Sequence, residues 1–436
     1  RWLSRGVDPN MVDVDGDSLP KNKSAPLLFV AARQGHGDLV DVLLWSGAAV
    51  NQGATSHGGT ALYIAAQEGH LIVVTKLIAA GADVDKATVE VQGSYGFTPL
   101  FAAAQNGHLA IVVKLIAAGA KVDAPTTYKD ITPLIIAVQN GHHAVVTKLI
   151  AAGALVNKAE TGHGCTPLWI ATFEGHTAMV TQLIAAGALI NKPGGYGRSH
   201  GSSCPLLVAV QNGHHTIVTK LIAAGALVDT AETDHGCTPL WIAAHKGRLS
   251  SAMKLIAAGA DVNKATTDDG TTPLYVASQN GHLFVVMQLI AAGALVNKST
   301  LNGCTPLYMA SQNAHLFVVT KLIAAGAEVD FARTDTDMTP LLVAAHLGHL
   351  AVLTKLVAAG ADVNQARMGT GATSLYIAAQ NGHLAVVTKL IAAGAHVDKA
   401  RATSGSTPLF VAAQQGHIAI VSKLLQHGAD KSIRGW

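Results

Sequence analysis

Thr98-Pro-Leu-Phe-Ala-Ala-Ala-Gln-Asn-Gly-His108 returns as TPLYVASQNGH from Thr272 and as TPLFVAAQQGH from Thr407. Self-similarity at a fixed period decides the architecture, because each copy is one small structural unit that needs its neighbours. It also limits where function can sit. A chain spent on copies of one unit has little room for a single asymmetric active site.

The copy from Thr373 to Gly394, TSLYIAAQNGHLAVVTKLIAAG, can be read residue by residue. Thr373 is an N-cap, its hydroxyl accepting from a free helix N–H. Most copies follow it with Pro, whose missing N–H is harmless at the first helical position. Leu375, Ala378 and Ala379 share one side of a short helix, and the paired alanines admit a close neighbour. Gly382 ends that helix because glycine tolerates the left-handed conformation. His383 opens a second helix with Leu384, Val387, Leu390 and Ile391 at helical spacing. Gly394 ends it, and AHVDKARATSGS runs out as a turn or two-stranded finger. The unit is helix, turn, helix, projecting loop, and it buries its apolar faces only when stacked.

The unit resembles the ankyrin repeat in its Thr-Pro-Leu, Ala-Ala, Gly-His, Leu-rich second helix and Gly-Ala-Asp-Val-Asn element. The last reads GADVN at Gly259 and Gly360, and GALVN at Gly153 and Gly293. The resemblance implies an all-α solenoid of stacked helix-turn-helix units with β-hairpin-like fingers. Aligning on the leucine after the Pro position gives twelve repeats, at Leu28, Leu62, Leu100, Leu134, Leu168, Leu206, Leu240, Leu274, Leu307, Leu341, Leu375 and Leu409. Steps are mostly 34 residues. Two steps of 38 lengthen the fingers around Thr88–Gly96 and Pro193–Ser203. We divide the chain into residues 1–25, a partial preceding repeat with an extended finger, 26–430, the tandem repeats, and 431–436, the start of a further finger. RWLSRGVDPN matches the tail of a second helix and the start of a finger, so the expectation is a fragment of a longer protein or an array with trimmed caps.

Composition narrows the function classes. Apolar residues make up 49%, aromatics 5% and charged residues 13%, with a net charge of +3. That charge is too small to indicate a nucleic-acid binder. No apolar run approaches the ~18 residues of a membrane span, and no signal-peptide pattern opens the chain. Four cysteines are too sparse for a disulfide scaffold, and a reducing, cytoplasmic setting is expected. Cys165, Cys237 and Cys304 share one slot. Repeats stacked about 10 Å apart keep such thiols beyond disulfide reach.

Eleven of the 21 histidines are the Gly-His histidine, so they are expected to be structural. The resemblance implies that they bond backbone groups of a finger. Adjacent pairs such as His142-His143 point about 100° apart on a helix and chelate one metal poorly. Phosphate-binding loops and nucleophile elbows are absent. The expectation is no cofactor, no metal and no catalysis.

Positions that vary among the copies are free of the scaffold's duty. The two residues before Gly-His are usually Gln-Asn, a ladder of amides that can donate and accept. Phe173-Glu174, His245-Lys246 and His346-Leu347 break it. Below two of these breaks stand Trp169 and Trp241, members of an aromatic-rich series after Thr-Pro-Leu that packing between first helices also explains. The lengthened fingers carry Tyr95 and Tyr196. These ten residues are the candidate protein-binding set. A lysine stripe on the second helices could attract an acidic partner or an anionic surface, or be a solvated face.

The expected function is a non-catalytic, monomeric scaffold holding a partner protein on its concave face and finger tips. Alternatives are a substrate-recruiting or regulatory arm of a larger enzyme or channel, and a structural spacer without a dedicated ligand.

Overall fold

The computed structural model describes residues 10, 25–54, 58–89, 95–195 and 203–432. Among them are 24 helices, two for each of the twelve repeats. The chain divides into two compact units, Arg1–Ala226 and Leu227–Trp436, each holding six helix pairs. Within each unit, first helices pack on the first helices of adjacent repeats, and second helices pack on second helices.

The two helices of a pair are buried differently, and their sequences show why. In the first helix Pro99–Gln105, the six residues Pro99 to Ala104 are all buried. The helix is apolar all round because neighbours flank it on both sides. In the second helix Leu109–Ala117 only Ile111, Val112 and Leu115 are buried, the stripe of a helix with one face in the core. Thr98 caps the first helix by accepting the Phe101 N–H at 3.1 Å. Its counterparts from Thr60 to Thr407 do the same. Repeat 6 departs from this pattern: Cys204 stands in the cap slot and makes no side-chain cap bond.

The Gly-His pair joins one repeat to the next. Gly107 has φ +76°, a region that favours glycine. It also faces the His142 ring of the following repeat, where an added Cβ would meet Nδ1 at 2.6 Å. That ring reaches on to the carbonyl of Gln105 through Nε2 at 2.9 Å. The same bond recurs from His70 to Arg33 O and from His417 to Gln380 O. The acceptor is thus the carbonyl ending the preceding first helix, and the expected finger acceptor is corrected. Such carbonyls have no partner within their helix, so a neighbour's donor is well placed there.

The asparagines and aspartates of the fingers form a second set of links. Asn263 Oδ1 accepts the Leu295 N–H at 2.8 Å, 32 residues on, and its Nδ2 donates to Gly293 O at 3.4 Å. Asp330 in the same slot accepts the Asp362 N–H but has no donor to give. Asn10 makes the equivalent bond to Ala49 N at 2.7 Å. The turn itself does not account for these residues; they bridge successive repeats.

Fingers are closed by a few backbone bonds, such as Thr126 N–H to Ile131 O at 2.9 Å. Isolated β-bridges pair Gly194 with Ser203 and Ala366 with Thr373. Finger tips are tied to their neighbours, as Thr267 N–H to His235 O at 2.9 Å shows. All four cysteines are buried and unpaired. Burial, then the Glu160 charge, pushes the Cys165 thiol up to about 12. Burial and the Glu232 charge do the same for Cys237. Both are held as inert thiols.

Candidate protein-binding face

Burial of the first helices leaves little of them for recognition. In Pro133–Gln139, Pro167–Phe173 and Ser374–Gln380 every residue but the last is buried. Solvent reaches these helices at their final residue and the cap that follows, beside the bases of the fingers. Those are the positions of the amide ladder and of the three pairs that replace both of its amides.

The amides have a scaffold duty as well. Asn140 Nδ2 donates to Gln105 O at 2.7 Å, the carbonyl that also accepts from His142. Asn212 and His214 share Phe173 O, Asn280 and His282 share His245 O, and Asn381 and His383 share His346 O. Each carbonyl is clamped by two donors from the next repeat. Repeat 5 has neither donor. Glu174 occupies the Asn position and, as a carboxylate, only accepts. His176 Nε2 is buried without a hydrogen-bond partner. Its ring also stands off, with Cε1 3.4 Å from a Cβ built on Gly141.

Among the anticipated contact residues, Phe173, Glu174, Lys246, His346, Leu347 and Tyr95 are exposed. Trp169 is different: it is 2% exposed, its indole Nε1 donates to Ser203 O at 2.9 Å, and it offers no surface to a partner. Its role is to support Phe173, whose ring stacks on it at 5.3 Å. Trp241 is half-buried, donates to Thr271 Oγ1 at 3.2 Å and carries the stacked His245 ring at 5.2 Å. Stacking on an aromatic partner holds each outer ring in one orientation. Burial lowers the pKa of His245, helped by the Lys246 charge. The ring is therefore neutral near pH 7, leaving Nδ1 to accept from Asn280 Nδ2 at 3.1 Å. Tyr196 lies outside the described residues.

Two features escaped the sequence. Tyr95 stacks on Tyr128 of the next finger at 4.8 Å, with Lys129 over the Tyr128 ring at 5.2 Å. Tyr128 is half exposed, and aligning finger tips rather than helices would have found it. In the second unit a hollow of about 330 Å³ lies at the finger bases, lined by Asp268, Asp269, Tyr275, Cys304, Gln312 and Arg333 among others. None of the anticipated residues lines it.

In each unit these groups can stack, hydrogen-bond and pair charges with a polypeptide. Among the described residues no group of three or more His, Cys, Asp or Glu is placed to hold a metal ion. No described helix is long and apolar enough to cross a membrane.

A comparison with curated proteins found no match. The family model described as Ankyrin repeats (3 copies) matches residues 1–88, 28–126, 100–193, 198–266, 251–334, 285–367 and 341–434. Helix pairs joined by Gly-His, capped by Thr-Pro and linked through finger Asn and Asp residues agree with that match across nearly the whole sequence, and the chain belongs to the ankyrin-repeat family.

Proposed function

We propose that the chain is a non-catalytic scaffold that holds a partner protein on the face formed by the first-helix ends and the finger tips. Ankyrin repeats are generally protein-protein interaction modules. One observation carries the reading: solvent reaches most first helices only at their ends, and at three such ends both amides of the ladder give way, to Phe173-Glu174, His245-Lys246 and His346-Leu347. Phe173 and His245 are held against tryptophans before any partner arrives, so little ordering entropy is lost on docking. Tyr95 extends the set in the first unit. Four buried, unpaired thiols fit a reducing compartment.

The test replaces the two outer rings with the residue the ladder carries elsewhere. Phe173→Gln and His245→Gln together weaken retention of the captured partner and leave the melting curve in place. Undiminished retention puts the site elsewhere.

A further inference from the structure

One finger slot changes character along the chain. Thr88, Thr126, Glu160, Glu232, Thr266 and Thr300 all use a side-chain oxygen to close their own finger. Thr126 Oγ1 accepts the Ile131 N–H at 3.0 Å, and Glu160 Oε1 the Cys165 N–H at 3.2 Å. Thr266 and Thr300 do likewise at 2.9 and 3.1 Å. In the next three fingers the slot holds Arg333, Arg367 and Arg401. A guanidinium has no acceptor, so these side chains cannot make the closing bond; in the Arg367 finger Thr370 Oγ1 accepts the Ala372 N–H at 3.4 Å instead, and backbone links such as Arg401 N–H to Ser406 O at 2.8 Å remain.

The three arginines are not equivalent. Arg333 forms a bidentate pair with Asp335, Nε to Oδ1 at 2.9 Å, and lies over the Tyr308 ring at 5.4 Å. Arg367 has no carboxylate partner; its side-chain bond is from Nε to Thr336 O at 2.6 Å. Arg401 lies over the Tyr376 ring at 5.9 Å, and its Nε is buried without a hydrogen-bond partner. A buried unsatisfied donor on a permanently charged group calls for an explanation. From residue 340 to 406 there are five Lys and Arg against two carboxylates. Those two are already engaged, Asp362 by Asn364 N–H and Asp398 by Asp430 N–H. The fingers at Glu232, Asp234, Asp268 and Asp269 have the opposite balance.

We propose that Arg367 and Arg401 form an anion track for the carboxylate side chains of an extended acidic segment of a partner protein. The inference rests on the reading that this face binds protein, and it names the chemistry of one stretch of that partner. Adjacent repeats stand about 10 Å apart, the distance between packed helices. In a polyproline II segment, residues three apart lie on one face with a rise of about 9 Å. The matching ligand has a carboxylate at every third position. Tyr376 lies against the Arg401 guanidinium at 5.9 Å, and a guanidinium is suited to bidentate contact with a carboxylate.

The probe is a fluorescent proline-rich peptide with glutamate at every third residue, read by anisotropy with the full chain. The account expects binding that weakens with added salt, and about tenfold weaker binding for the Arg367→Gln/Arg401→Gln variant. A glutamine version of the peptide fails to bind, and Lys355→Gln/Lys389→Gln, on second helices, leaves affinity unchanged. Equal affinity of native and double-variant chains overturns the inference, as does equal binding of the glutamine peptide. Capture of anionic vesicles in place of the peptide also overturns it. If the double variant is unfolded, Arg367→Gln alone decides, because its one side-chain bond is to a backbone carbonyl. If the native chain ignores the peptide while partner retention still depends on Phe173 and His245, this inference fails and the binding reading stands.

Discussion

The junction between repeats 4 and 5 lacks both donors that clamp its counterparts, which makes it the place to test how the repeats are joined. Glu174→Asn supplies the missing amide. In five repeats this amide meets the preceding carbonyl at 2.7 to 3.1 Å, whereas Asn106 turns back to Ala102 O of its own helix. One such bond contributes about 1 kcal/mol net, and Glu174 is exposed, so no buried contact is lost with it. Repeat 2 has Glu68 in the same slot and keeps its His70 bond at 2.9 Å. The substitution therefore restores the Asn bond alone. A chain of many repeats need not unfold in one step, so the readout is local. Amide exchange at Asn140, Gly141 and His142, whose N–H groups close the end of the helix Pro133–Gln139, slows about fivefold, the factor matching about 1 kcal/mol. The companion pair is His176→Ala against His142→Ala. Both lose a ring, but only His142 loses a hydrogen bond, so its replacement is more damaging by about 1 kcal/mol. Unchanged exchange in Glu174→Asn, together with equal losses for the two histidines, would refute the clamp.

Three further outcomes follow from the same links. Cys204→Thr installs the cap every neighbouring repeat has and stabilises by about 1 kcal/mol in urea unfolding; no gain means that the sulfur already packs as well as a cap bonds. Gly382→Ala and Gly416→Ala carry the same left-handed strain, with φ of +81° and +77°, but an added Cβ meets the His417 ring at 2.7 Å in the first and nothing within 4 Å in the second. Gly382→Ala is thus the worse by about 1 kcal/mol, the bond from His417 being disturbed as well, and equal melting shifts would remove the ring from the explanation. Burial raises the pKa of Asp330 above the ordinary carboxylate value, with the Asp362 charge adding to it. A raised carboxyl favours the fold while protonated, and that contribution is lost as pH rises through its folded value. Asp330→Asn therefore stabilises more at pH 7 than at pH 3, in addition to about 1 kcal/mol at either pH where Nδ2 gains the Gly360 carbonyl; a gain independent of pH contradicts the burial argument.

The fold was legible because its determinants are local. Thr98 caps, Pro99 starts a helix, Gly107 ends it, and each does so through atoms a few residues away. What escaped the sequence lies between repeats. That His142 recurs says it is structural, but the carbonyl it meets belongs to Gln105, one repeat back. Trp169 and Phe173 are four residues apart on one helix, and only packing buries the first while exposing the second. Asn140 reads from sequence as a surface amide, since the partner of its side chain, Gln105 O, is not a local group. The arginine slot is obscured for a related reason: the helices keep a constant register, whereas Arg333, Arg367 and Arg401 stand in fingers whose lengths vary.

The central claim is that recognition belongs to the first-helix ends and finger tips. Photo-cross-linking residues placed singly at Phe173, His245 and His346, and at Lys148, Lys254 and Lys321 on the second helices, test it directly in a native extract. The account predicts one discrete partner adduct from the first three positions and none from the lysine stripe; adducts confined to the lysine positions would contradict it.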